Sequence, residues 1–185
     1  NRTFLNWQNT TLSYWDDSVL YWFVLAYNNH MLKEKKLLEI LSKKKLTLAV
    51  AESCTGGALS NRLTNIPGSS RVFLLGIIAY SNEAKNKILK IPKSVIQAKG
   101  AVSSETAKLM AAKIAKLSGS SIGIAITGIA GPRGASKDKP VGTVFIAVAS
   151  DKKIIAKKFY FSGNRLQIKI KTTEKALDML LKFIQ

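Results

Sequence analysis

Three short polar segments of this chain carry residue types that could do chemistry at their spacing. The first is Ala51-Glu52-Ser53-Cys54-Thr55-Gly56-Gly57. Ser53 follows an apolar run and precedes a helical pattern. Gly56 and Gly57 let backbone approach a ligand closely. The free N–H groups of a helix start can receive an oxyanion or a phosphate. A plainer role is also open: Ser53 or Thr55 caps the helix, and the glycines make a tight turn. The second segment is Tyr80-Ser81-Asn82-Glu83-Ala84-Lys85. It puts a phenol at a strand end and a lysine in the first turn of the next helix. The helix dipole disfavours a cation there, so Lys85 would be less basic and suited to accept a proton. The plainer role is a solvated lysine, one of 24. The third is Thr127-Gly128-Ile129-Ala130-Gly131-Pro132, which follows a strand and reads equally as a substrate loop or a structural turn. Beyond it, Arg165 could clamp a phosphate, or simply sit at a helix start.

Exclusion narrows the chemistry. The single histidine is His30, so residues 31–185 cannot form a Ser–His–Asp or Cys–His arrangement. A nucleophilic Ser53 must take its base from Lys, Tyr, Glu or Asp, and a Ser–Lys pair is one known solution. Cys54 is the rival nucleophile and would need a partner that stabilises its thiolate. One cysteine and one histidine cannot build a standard zinc cage, so any metal would have to sit on the 11 carboxylates. The lone cysteine also rules out an intrachain disulfide and fits a reducing compartment.

The elements that must position these residues follow from periodicity. Helices are expected from Leu32 to Lys44, Thr55 to Thr64, Ser81 to Leu89, Ser103 or Ser104 to Leu117, and Leu166 to Ile184. The fourth should bury Leu109, Met110, Ile114 and Leu117. Strands are expected at Leu46–Ala51, Val72–Tyr80 and Ile122–Ile126. Val141–Ala149 and Lys153–Phe161 should form a hairpin about Ser150-Asp151-Lys152. Pro92 to Gly100 reads as irregular, with at most one helical turn. Strands alternating with helices predict a three-layer α/β/α sandwich. Near-continuous apolar strands covered on both faces predict a largely parallel sheet, mixed because of the hairpin.

The chain has 185 residues, 46% hydrophobic and 22% charged, which is enough for one globular domain. No apolar run reaches the ~18 residues of a membrane span, which points to a soluble protein with no membrane partner. The net charge of +18 suits an anionic partner. The excess lies in lysines scattered along every polar stretch, 24 against 5 arginines. Clustered arginines with interleaved aromatics are lacking, which argues against nucleic acid. Residues 1–30 differ in kind: they hold all three tryptophans and no lysine. The expectation is a domain over 31–185 starting naturally at Met31. Residues 1–30 would be a non-native or upstream stretch, or an aromatic arm that docks on the domain or a neighbouring subunit.

The ordered blocks AESCTGG, LTNIPGSS, AYSNEAKNKIL, GAVSSETAKLMA, AITGIAGPRG, KPVGTVFIAVA and FSGNR resemble the C-terminal domain of CinA. That family includes the nicotinamide-nucleotide amidohydrolases, and the resemblance runs from about Leu37 to the C-terminus. It implies conversion of nicotinamide mononucleotide to nicotinate mononucleotide and ammonia, with no cofactor, in a cytoplasmic homodimer. It implies a serine nucleophile at Ser53 and a lysine base at Lys85. Tyr80 and Thr127 match active-site positions, and Arg165 matches an arginine near the substrate. On this reading Thr55, Gly56 and Gly57 hold the oxyanion, while Thr127, the Gly128–Gly131 backbone and Arg165 anchor the phosphate. The loop Arg133–Lys139 is less glycine-rich than the resemblance implies. Two rival functions stand beside it: a non-catalytic competence- or DNA-damage-associated protein with an anionic partner, and an amidase for another small amide.

Overall fold

A computed structural model describes residues 33–185; residues 1–30 lie outside them. Six helices and five strands follow in order: a helix over 33–43 (α1), β1 Leu48–Glu52, α2 Ala58–Thr64, β2 Phe73–Ile78, α3 Asn82–Lys87, α4 Lys93–Lys99, α5 Ser104–Ser118, β3 Ile122–Gly128, β4 Thr143–Ala149, β5 Ile154–Tyr160 and α6 Arg165–Ile184. The sheet order is β2-β1-β3-β4-β5. β1 pairs parallel with β2 and β3, while β4 and β5 add antiparallel pairings. The sheet is therefore mixed, with three parallel strands and the expected hairpin at its far edge.

Strand alternation sorts the core into two unlike faces. Val50, Ile124, Ile126, Val144, Ile146 and Val148 point toward α1, α2 and α6, where bulky side chains such as Leu37, Leu41, Leu59, Leu63, Leu177 and Leu180 fill the space. The opposite face is lined by Ala49, Ala51, Ala125, Ala147 and Ala149, which pack with Met110 and Ile114 of α5 and with Leu89 and Ile91. Small residues there let α5 lie close on the sheet. At Gly123 the approach is closest: a Cβ would fall 2.0 Å from the Ala111 carbonyl oxygen, so no side chain fits. No helix among the described residues is long and apolar enough to cross a membrane.

Three expectations change. β2 is an edge strand with alternating exposure, and Leu74 and Ile78 are about half exposed, because only β1 flanks it. Residues 93–99 form a full helix rather than an irregular stretch, entered through Pro92 at the N-cap and left through Gly100. In α5 the buried stripe is Thr106, Ala107, Met110, Ala111 and Ile114, whereas Leu117 is exposed.

Candidate functional site

The parallel strands β1 and β2 end side by side, since Glu52 is in register with Ile78. Their following turns, 53–57 and 79–81, therefore meet at the carboxyl edge of the sheet, where open α/β sheets bind ligands. Ser53 begins the first turn. Lys85 comes back from α3, whose start is fixed by the Ser81 hydroxyl accepting the Ala84 N–H at 3.0 Å. The Lys85 Nζ lies 3.1 Å from Ser53 Oγ, 2.9 Å from the Ala79 carbonyl and 3.2 Å from the Tyr80 carbonyl.

That set of neighbours decides what the pair can do. A carbonyl oxygen only accepts, so both carbonyls require N–H donors from Lys85. A neutral amine has two N–H donors and one lone pair. With the donors on Ala79 and Tyr80, the lone pair is left for the Ser53 hydroxyl. Lys85 is 2% exposed, and burial lowers its pKa from the ordinary 10.5. Burial, rather than the helix dipole, is the leading cause: Lys85 stands in the last turn of a six-residue helix as well as near its start. Cys54 differs. Burial pushes its thiol up to about 12, so it is a neutral packing group at physiological pH. It sits against Gly128, where a Cβ would come within 3.1 Å of the sulfur.

The pair opens into a cleft of about 270 Å³, also lined by Tyr80, Thr127, Gly128, Gly131, Arg133 and Arg165. Among the described residues no aspartate or glutamate lines it. The Arg165 guanidinium donates to the Gly131 carbonyl at 2.8 Å and to the Tyr80 hydroxyl at 2.6 Å. The Tyr80 side chain is 56% exposed. Its phenol braces Arg165 at the rim, and its backbone carbonyl is what touches Lys85. The Thr127 hydroxyl donates to the Ala101 carbonyl at 2.8 Å. As placed, Thr127 offers the cleft lone pairs only, which suit a carboxamide N–H better than a phosphate. Among the described residues no group of three metal-ligating side chains comes together.

Of the expected anion hole at Thr55, Gly56 and Gly57, the two glycine N–H groups are engaged elsewhere. Glu52, wholly buried, accepts the Gly57 N–H at 3.0 Å, the Leu59 N–H at 3.2 Å and the Ser60 N–H at 2.8 Å. It also accepts the Ser60 hydroxyl at 2.8 Å. The Gly56 N–H donates to the Ser53 carbonyl at 3.1 Å. Thr55 is fully buried, and its hydroxyl has no hydrogen-bond partner. Neither Thr55 nor the two glycines line the cleft. The helix cap is thus neither Ser53 nor Thr55. Gly57 holds the N-cap position in the left-handed region, and the Glu52 carboxylate satisfies the helix start. Sequence reasoning missed Glu52; the available signal was an acid one residue before the serine, ahead of a helix with no side-chain cap. It also passed over Arg133, a cation inside a Gly/Pro loop.

This geometry coincides with a family match. Residues 31–184 fit the CinA C-terminal domain. The chain belongs to the CinA C-terminal domain family. A CinA-like protein of Geotalea uraniireducens is 52% identical over 136 residues, covering 74% of this chain and 32% of that protein. Another CinA-like protein, from Syntrophus aciditrophicus, is 45% identical over 152 residues, 82% of this chain and 36% of that protein. The chain thus spans about a third of the length of these curated relatives. Among solved structures, the competence/damage inducible protein CihA from Agrobacterium tumefaciens superposes with a TM-score of 0.82 at 34% identity, covering 84% of this chain and 96% of that one. A CinA superfamily protein from Escherichia coli gives 0.81 at 28% identity, covering 83% and 90%.

Proposed function

We propose that this CinA domain hydrolyses the carboxamide of nicotinamide mononucleotide to nicotinate mononucleotide and ammonia. The observation that carries the reading is the 3.1 Å contact between Ser53 Oγ and a buried Lys85 Nζ whose other neighbours are two carbonyls. Neutral Lys85 takes the Ser53 proton as Oγ attacks the carboxamide carbon. The resulting ammonium then protonates the departing nitrogen, the C–N bond breaks, and ammonia leaves an acyl-Ser53 ester. Water, deprotonated by Lys85, attacks that ester and restores Ser53. Gly56 and Gly57 have their N–H groups engaged, so the Cys54 and Thr55 N–H groups are the turn's remaining donors for the oxyanion. A cleft with Arg133 and Arg165 at its rim, and no acid lining it among the described residues, favours an anionic substrate. The proposal extends to a cytoplasmic homodimer working without metal or cofactor. Ammonia release from nicotinamide mononucleotide, abolished in Ser53→Ala, tests it; retained release in that variant would refute the serine mechanism.

The net charge of +18 favours one second reading, a non-catalytic partner of an anionic macromolecule. DNA binding with a steep salt slope, together with no ammonia release, would select it.

A further inference from the structure

An anionic substrate needs a cradle, and the fold's ready-made one is closed. The start of α2 faces the site, but Glu52 already accepts its Gly57, Leu59 and Ser60 N–H groups. A second anion there would meet a buried carboxylate that already takes three of the N–H donors. Recognition must come from side-chain cations that stand at the mouth and lack carboxylate partners.

Arg165 is one. Its two hydrogen bonds go to neutral oxygens and leave three of its five donors and its whole charge available. One turn further along α6, at the i+4 position on the same helix face, stands Lys169. Its Nζ lies over the Ser53–Gly57 turn: a Cβ at Gly56 would be 3.6 Å from it. Lys169 is half-buried, and among the described residues its Nζ has no hydrogen-bond or ion-pair partner. A lysine that gives up part of its hydration without gaining an acceptor is placed for a ligand rather than for stability. Gly56 has no side chain to screen that nitrogen, which stands outside the cleft lining but over the turn that begins at Ser53.

We propose that Lys169 is a specificity-determining residue of this site, which together with Arg165 clamps the substrate's phosphate monoester across the mouth of the cleft. The inference rests on the amidohydrolase reading for its substrate, but not for its binding geometry. It divides the work along α6: Arg165 is tied to Tyr80 and Gly131 and fixes the rim, while Lys169 is unattached and reports the phosphate.

The test compares nicotinamide mononucleotide with nicotinamide riboside, which lacks the phosphate, on Lys169→Met and Lys169→Arg. Equilibrium binding is measured in the Ser53→Ala background, and turnover with Ser53 present. Loss of one charge-assisted contact should weaken mononucleotide binding and raise its KM by roughly ten- to hundred-fold, with kcat nearly unchanged. Riboside binding should not change, and Lys169→Arg should restore most of the loss. An equal loss on both ligands, no loss on either, or no mononucleotide binding by the parent would overturn the proposal. Lys169-dependent binding without ammonia release would instead sink the amidase reading and leave the phosphate clamp standing. Circular dichroism of both variants checks that the fold is kept.

Discussion

Two buried ionisable groups stand on neighbouring turns of this molecule, and their surroundings are opposite. Glu52, at the end of β1, is met by four donors, three of them from the backbone around the start of α2. Lys85, beyond the end of β2, is met by two carbonyls and one hydroxyl. Neither forms an ion pair with a described residue. The carboxylate is surrounded by groups that stabilise its charge, each such bond being worth about 1.5–3 kcal/mol. The amine's acceptors can be served equally by its neutral form, and burial shifts it that way. One buried group holds the turn that carries Ser53 through its hydrogen bonds to the start of α2. The other can gain or lose a proton without rearranging its contacts. A structural charge and a reactive one are distinguished by their partners, not by depth.

The sharpest way to break this contrast is to remove the titrating partner. Lys85→Ala and Lys85→Arg should each lower kcat by at least about 10³-fold with the fold retained. Arginine fails because it stays protonated, so an active Lys85→Arg variant would show that proton transfer lies elsewhere. On the proposed mechanism, kcat/KM of the parent protein should rise with pH through the Lys85 pKa, since the neutral amine would be the base. The inflection should fall below 10.5 and disappear in any residual activity of Lys85→Ala. A falling profile would contradict the assignment of Lys85 as base.

A smaller effect is expected at Glu52. Glu52→Gln puts an amide –NH2 toward N–H donors and should cost about 2–3 kcal/mol of stability in denaturant unfolding. Because Glu52 acts through the turn, kcat should drop roughly tenfold while the pH inflection stays put. A shifted inflection would mean that Glu52 is coupled to Lys85 directly. Cys54→Ala should matter least, keeping activity within about threefold, and native protein should resist alkylating agents at pH 8, because the thiol titrates near 12.

The same contrast explains what was legible in the chain. Period-2 and period-3.6 patterns and the caps at Ser81 and Ser103 located most elements, because those signals are local. The edge position of β2 was not local: FLLGII reads as a strand covered on both sides, and only the strand order leaves Leu74 and Ile78 half exposed. Ser53 and Lys85 were legible as residue types and, in light of the family, as a pair. The reason for the lysine's altered basicity was not. It depends on how deeply the folded chain buries the amine, which no local pattern of side chains encodes. Glu52 was easy to pass over for a related reason: its partners are mostly main-chain N–H groups, so only its place just before an uncapped helix start signalled it.

The seam between α5 and β3 sets a tolerance on the Ser53–Lys85 cleft from well outside it. With 2.0 Å between a hypothetical methyl at 123 and the Ala111 oxygen, any larger residue would wedge the helix away from the sheet. That helix begins at Ser103, whose hydroxyl, like that of Thr106, grips the Gly100 carbonyl. The adjoining Ala101 carbonyl receives Thr127 on the cleft wall. A misfit of one carbon midway along the helix would thus act as a lever on Thr127, making a remote hydrogen atom part of the cleft's alignment.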